Sequence, residues 1–430
     1  MTATSGSTTP ASPKQQVGLV GAVAIGIASM LGAGVFVVFH TAFTNNFGDF
    51  YLALGLAALV ATLNAWGVYS LARQIERPGG IYAYSRVYVN KTVSFSAGFA
   101  FVFGKIGSIA AIALAFNSYF LSEHRFWPAA VAIAMLTVIN ILGIQRTTAV
   151  ATVLAVTTSA YFLYLAVMGL VAPAPKEIFI PAVAVVTPVS ASPFPVVSAA
   201  AIFFFAFAGY ARVATLGNEV RDAKRNIPRA IAVALIAVVG IYFVLAFVLQ
   251  KFLSYNLMLD RAPFKTLAEQ FIPVWPHQVT ILVATLASLG SMLALLAGVS
   301  RTAATMAEDN ELLPIFKKRN RFGSPWFSEV LIALGAIALV AIGDLSWVIG
   351  FSSFSVLFYY AVGHISVLRQ PKQWRVMPPI MAWLGLLLCT VLAFAVPGPA
   401  APVSFLILIL ALAGRFVHQR NQLMALSKLN

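Results

Sequence analysis

Apolar runs of membrane-crossing length recur along this chain, and that recurrence constrains its fold more than any single motif. An α-helix rises 1.5 Å per residue, so about 20 apolar residues cross the ~30 Å hydrocarbon core of a bilayer. Hydropathy gives twelve such segments, at 17–43, 50–72, 93–121, 126–145, 149–172, 196–218, 229–251, 277–307, 326–343, 345–368, 379–396 and 401–418. With 60% hydrophobic and 10% charged residues, a water-soluble chain would have no way to cover its apolar surface. Aromatic residues gather near many segment ends, as an interfacial belt requires. The reading is an all-α integral membrane protein with twelve transmembrane helices.

Residues 1–16 are polar and rich in Ser, Thr and Pro, the composition of a disordered tail. The first apolar run is long and lacks a small-residue cleavage pattern, so it is expected to stay as a helix rather than leave as a signal peptide. The single cysteine, Cys389, excludes an intramolecular disulfide. The net charge of +15 reports topology rather than nucleic acid. Of 28 Lys and Arg, Lys105 lies inside a span and five (Arg125, Lys176, Lys251, Arg261, Lys265) lie on one side, leaving 22 on the other. An even number of spans puts both termini on that basic side. Basic loops are cytoplasmic, so the termini, with residues 419–430 as a tail, are expected inside the plasma (inner) membrane.

Two long outer loops, 173–195 and 252–276, separate spans 5 from 6 and 7 from 8. Spans 1 and 6 each carry a glycine-marked interruption at similar depth: "SMLGAGVF" at 29–36, and Gly209 within "FFFAFAGYARVATLGNEVRDAKRNIPRAI" at 203–231. Small residues also serve close helix packing. One interruption in each group of five spans, however, points to an inverted-repeat transporter with a midplane site. The groups run 17–172 and 196–368, with 379–418 added. Unwound backbone at that depth is tolerated only when it is buried in protein or lines a wet cavity. A half-helix starting after Ala33 would present free N–H groups to a carboxylate. Half-helices ending near Met30 and near Phe205 would present carbonyls to an ammonium. Both charges sit on one carbon in an α-amino acid, which is the simplest ligand for such a pair of ends.

These segments resemble those of the amino acid–polyamine–organocation transporter superfamily, over nearly the whole chain. "SMLGAGVF" is similar to the glycine-rich break of the first helix and "RPGGIYAYSR" (77–86) to the first cytoplasmic loop. "GNEVRDAKRNIPRAI" (217–231) resembles the loop leaving the sixth helix, and "GSMLALLAGVSRTAATMAEDNELLPIF" (290–316) the eighth helix and its exit. The resemblance implies the LeuT-type fold, a five-plus-five inverted repeat with helices 1 and 6 broken and two helices added. It also implies secondary transport of amino acids or related amines, as permease or antiporter, by alternating access and without a cofactor.

By position, the resemblance implies that Met30, Gly32, Ala33 and Gly34 meet substrate, with the backbone around Ala33 and Gly34 on its carboxylate. Phe205 takes the place of the aromatic lid beside the Gly209 break. Ser108 falls where the arginine/agmatine antiporter presents a polar side chain from its third helix, and Met292 where it has an aromatic residue in its eighth. Two departures stand out. Ala211 and Arg212 occupy the region where many relatives carry a glutamate, and the usual acidic pair reads Asn218–Glu219.

Lys105 lies about twelve residues inside the third span, roughly 18 Å from its start. A lysine at that depth is costly without water, carbonyls or loss of its proton. Two coupling roles follow: its ammonium stands in for a sodium ion by bracing the broken first helix, or it carries protons through the cycle. Both make transport independent of sodium. The acids lie in loops or at span ends, which favours neutral amino acids over a basic amino acid or polyamine. Stacking on Phe205 could still hold a cation, so the antiporter reading stays open. His364 and Tyr359 in the tenth span are expected to pack or hydrogen-bond. Glu219, Arg221 and Arg225 form either an inner ionic gate or a solvated loop.

Other classes find less support. The spans carry no metal-spaced or catalytic cluster for an enzyme, no filter loop for a channel, and no phosphate-binding G-x-x-x-x-G-K-[ST] loop for a pump. A membrane nutrient receptor that binds without transporting remains the alternative.

Overall fold

The computed structural model describes residues 17–45, 49–75, 79–120, 126–142, 147–173, 194–210, 213, 220–252, 262–271 and 278–427. The tail at 1–16, and Ala211, Arg212, Asn218 and Glu219, therefore lie outside the described residues.

Every apolar run becomes a helix. The helices are α1 (Leu19–Leu31), α2 (Ala33–Asn45), α3 (Phe50–Ala72), α4 (Ile81–Tyr88), α5 (Lys91–Phe120), α6 (Phe126–Ile141), α7 (Thr147–Val171) and α8 (Pro195–Phe207). After a 3-10 turn at Ala208–Tyr210 come α9 (Ala223–Phe252), α10 (Pro263–Phe271), α11 (Gln278–Glu308), α12 (Trp326–Ile342), α13 (Leu345–Arg369), α14 (Pro379–Phe394) and α15 (Ala400–Ser427). Among the described residues eight runs are long and apolar enough to cross a membrane, with α1 and α2 joined as one. Four shorter apolar helices accompany them: α6, α8 with its turn, α12 and α14. The protein is thus a multi-pass, all-helical membrane protein.

Three segments differ from the sequence reading. The loops after spans 2 and 7 hold short helices, α4 and α10, where a few aromatic and aliphatic side chains find a face to bury. Helix α15 continues through the expected tail to Ser427, because Gln, Arg, Leu, Met and Ala favour helix and neither Gly nor Pro follows Gly414 there. The close turn between spans 9 and 10 is sharp because Asp344 caps α13, its Oδ1 accepting from Trp347 N at 2.7 Å.

Packing is by small residues, and several hydroxyls bond within their own helix. Helix α5 runs against α13 and α11, α1 against α9 and α7, and α8 against α3 and α2. A Cβ on Gly104 would lie 2.6 Å from Ser355 Cβ, and one on Gly107 2.8 Å from the Phe351 ring, so α5 approaches α13 closer than any side chain permits. Hydroxyls bond back one turn: Thr41 to Val37 O (3.0 Å), Thr62 to Ala58 O (2.8 Å), Thr137 to Ile133 O (2.7 Å), Ser366 to Val362 O (2.9 Å) and Thr390 to Leu386 O (2.8 Å).

Two charged clasps close the helix ends. Glu311, just past α11, accepts from Arg86 Nη1 of α4 at 2.8 Å and from Arg415 of α15 at 2.6 and 3.3 Å. Arg415 also donates to Thr92 Oγ1 at 3.1 Å and lies over the Phe95 ring. Beside it the Tyr82 hydroxyl donates to Asp309 at 2.8 Å, and burial, then that carboxylate, hold the phenol well above its ordinary range. At the far end of α9, Lys251 donates to Gly169 O, Leu170 O and Ala172 O at 3.0, 3.4 and 2.7 Å, capping the bare carbonyls of α7.

Candidate functional site

The first break is one residue long. Helix α1 ends at Leu31, Gly32 leaves the helical region with ψ −150, and α2 resumes at Ala33. A Cβ on Gly32 would run into Ser291 Oγ of α11 and lie 3.0 Å from Ala28 O. The break is tighter than expected, with the helix resuming at Ala33 rather than after it.

Helix α8 ends at Phe207, two residues beyond the expected Phe205, and tightens into the 3-10 turn that begins at Ala208. Gly209 of that turn lies directly on the end of α1: a Cβ on it would overlap the Ser29 carbonyl and sit 2.6 Å from Met30 N. Gly34 at the start of α2 faces α8, its missing Cβ 3.1 Å from Ala206 Cα and 3.6 Å from the Phe205 ring. The two interruptions therefore cross backbone to backbone, with Met30, Gly32, Gly34, Phe205 and Gly209 in one place.

Two side chains serve the carbonyl ends left by the breaks. The Tyr242 hydroxyl, from α9, donates to Met30 O at 2.7 Å and lies 3.4 Å from Ala206 O, so one phenol spans both interrupted helices. Sequence reasoning missed it, since a lone tyrosine in a long apolar run reads as packing. Lys105 of α5, only 4% exposed, donates from Nζ to Ala208 O at 3.3 Å. It thus reaches the second break rather than the first. Tyr242→Phe should lower uptake and thermal stability together, costing about 1–3 kcal/mol for the buried Met30 carbonyl that loses its donor. A melting curve and uptake rate equal to wild type would assign Tyr242 to packing alone.

The remaining candidates disperse. The Ser108 hydroxyl pairs with Ser352 Oγ of α13 at 2.7 Å and with Gly104 O at 3.3 Å, an α5–α13 contact. Met292 is fully buried, and its neighbour Ser291 is the residue at Gly32. The Tyr359 hydroxyl accepts from Ile81 N at 2.8 Å. His364 Nε2 and the Cys389 thiol share Asn64 Oδ1 at 2.8 and 3.0 Å, tying α13 and α14 to α3. Arg221 N donates to Val17 O at 2.9 Å, so the chain after the second break is pinned to the start of the first span. Glu329, at the end of its span, is 1% exposed and accepts from Ser324 Oγ at 2.7 Å.

The sequence profile described as "Amino acid permease" matches residues 17–417. An uncharacterized transporter of Mycobacterium tuberculosis is 37% identical over 401 residues, covering 89% of this chain and 87% of its own. A chloroplastic cationic amino acid transporter of Arabidopsis thaliana is 24% identical, covering 86% and 69%. The methylthioribose transporter of Bacillus subtilis is 24% identical, covering 80% and 79%. Broken apolar helices that meet at a buried crossing, and a profile spanning nearly all the described chain, lead to one statement: this protein is a membrane transporter belonging to the amino acid permease family.

Proposed function

We propose that the protein is a secondary transporter that moves α-amino acids across the plasma membrane by alternating access. It has twelve transmembrane helices in a five-plus-five inverted repeat, with both termini cytoplasmic. The observation that carries this reading is the crossing of the two breaks, where Gly209 rests on Ser29 and Met30 while Phe205 flanks Gly34. The substrate carboxylate meets the first N–H groups of α2 at Ala33–Gly34. Its ammonium meets the carbonyls of Met30 and Ala206, which retain a lone pair beside the Tyr242 hydroxyl.

Coupling is sodium-independent and driven by protons or by exchange. Lys105 supports this, because an ammonium already holds the carbonyl of Ala208 where a metal cation would otherwise be needed. The neutral amino acids fit better than basic ones, since no described carboxylate reaches the crossing to balance a second positive charge.

Uptake of labelled amino acids into proteoliposomes, with choline replacing sodium, tests the reading. Wild type should accumulate at least one amino acid, Phe205→Ala should reduce its uptake about 10-fold, and Phe205→Trp should retain most of it. Binding without uptake would make the protein a receptor, and normal uptake by Phe205→Ala would give the lid to another residue.

A further inference from the structure

Lys105 has bonding capacity that the described residues leave unused. Its ammonium has three N–H donors. One goes to Ala208 O at the long distance of 3.3 Å, and among the described residues no carboxylate pairs with it. At 4% exposure, water does not fill the remaining positions freely. A buried cation with open donors is expensive unless an anion completes it.

Its position says where that anion comes from. Ala208 is bonded to Gly209, and Gly209 lies on the Ser29–Met30 backbone at the crossing. Lys105 therefore sits at the second break, on the residue next to the one that touches the first. We propose that Lys105 is an anion-binding, specificity-determining residue, and that the favoured substrates are α-amino acids with a carboxylate side chain. The proposal rests on the amino acid reading above and narrows it.

In this arrangement the α-carboxylate lies at the start of α2, the α-ammonium among the carbonyls of Met30 and Ala206, and the side-chain carboxylate on Lys105 Nζ. A cationic side chain in the same place would meet a fixed positive charge. Two charges about 6 Å apart at an effective dielectric of about 20 shift binding on the order of 100-fold. The preference runs opposite to the cationic substrates in the names of the Arabidopsis relatives.

The test compares isosteres. Binding of L-glutamate, L-aspartate, L-glutamine, L-asparagine and L-arginine to the purified full-length protein is measured by calorimetry. An acidic ligand should bind wild type at least 10-fold more tightly than its amide, and L-arginine on the order of 100-fold more weakly than the acid. Lys105→Met should bring the acid-to-amide ratio near one, and Lys105→Glu should favour L-arginine. An amide that binds wild type as tightly as its acid overturns the proposal, and this comparison needs no variant to fold. A ratio unchanged in Lys105→Met overturns it as well. Repeating the titrations with methanesulfonate in place of chloride should leave the preference intact. A requirement for chloride in binding the amides would mean that the anion on Lys105 is inorganic, and would overturn the substrate assignment. If none of the five ligands binds but another α-amino acid does, the acidic preference alone falls; if no α-amino acid binds, the amino acid reading falls with it; and amide binding without acid preference removes only the role of Lys105.

Discussion

Gly209→Ala should abolish uptake, although it adds a single methyl group. The methyl carbon would fall on the Ser29 carbonyl and 2.6 Å from Met30 N, and all of these obstacles are backbone. Overpacking against side chains costs about 1–3 kcal/mol because the neighbours can rotate away. Here α1 and the 3-10 turn must move apart, which dismantles the crossing that brings Met30, Gly34 and Phe205 together. Uptake should fall by on the order of 100-fold, the rate equivalent of about 3 kcal/mol. Gly34→Ala is a graded comparison: its methyl would sit 3.1 Å from Ala206 Cα and 3.6 Å from the Phe205 ring, so a small shift accommodates it. Gly34→Val adds two further carbons beside the N–H groups of α2 and should again abolish binding. Uptake and ligand binding measured across these variants check the order, and Gly209→Ala at half the wild-type rate or better would show that the breaks do not need their contact.

Glu311→Ala should be the most destabilising change outside the site. Its side chain is 2% exposed and sits between Arg86 and Arg415, which are 18% and 8% exposed. Removing it leaves two guanidinium groups facing each other with little water. Breaking a buried pair from one side costs about 3–5 kcal/mol, and the partial exposure of Arg86 places this case near the lower figure. A clear fall in melting temperature in detergent is expected, and Arg415→Met added to Glu311→Ala should recover part of it by relieving the uncompensated charge. An unchanged melt would mean that Asp309 takes over both arginines.

Much of the architecture was legible because lipid makes hydropathy almost sufficient: an apolar run of about 20 residues has few alternatives to a helix. The two glycine interruptions could be placed for the same reason, since a helix breaker in mid-span stands out against its surroundings. What hydropathy could not convey is who faces whom. Tyr242 and Met30 are 212 residues apart, and Lys105 and Ala208 are 103 apart. Arg86, Glu311 and Arg415 come from three distant segments, and each looks on its own like one more basic or acidic loop residue. Ser108 was placed from the resemblance, but its hydroxyl is engaged by Ser352, a small polar residue indistinguishable in sequence from its neighbour Ser353. Glu329 lies at a span end, as the acids were expected to, but nothing in the sequence indicates that Ser324 and Ser300 enclose it.

The one-turn hydroxyl bonds have a mechanical consequence. Thr41, Thr62, Thr137, Ser366 and Thr390 each donate to the carbonyl four residues earlier on their own helix. Polarity that is satisfied within a rod does not glue that rod to the next. Sliding one such helix along another exchanges one set of dispersion contacts for a similar set, and these hydrogen bonds ride along unbroken. Helices tied by bonds between them, as at Tyr242, Lys105, the Ser108–Ser352 pair, the Asn64 junction with His364 and Cys389, and the Glu311 clasp, are by contrast pinned at those points.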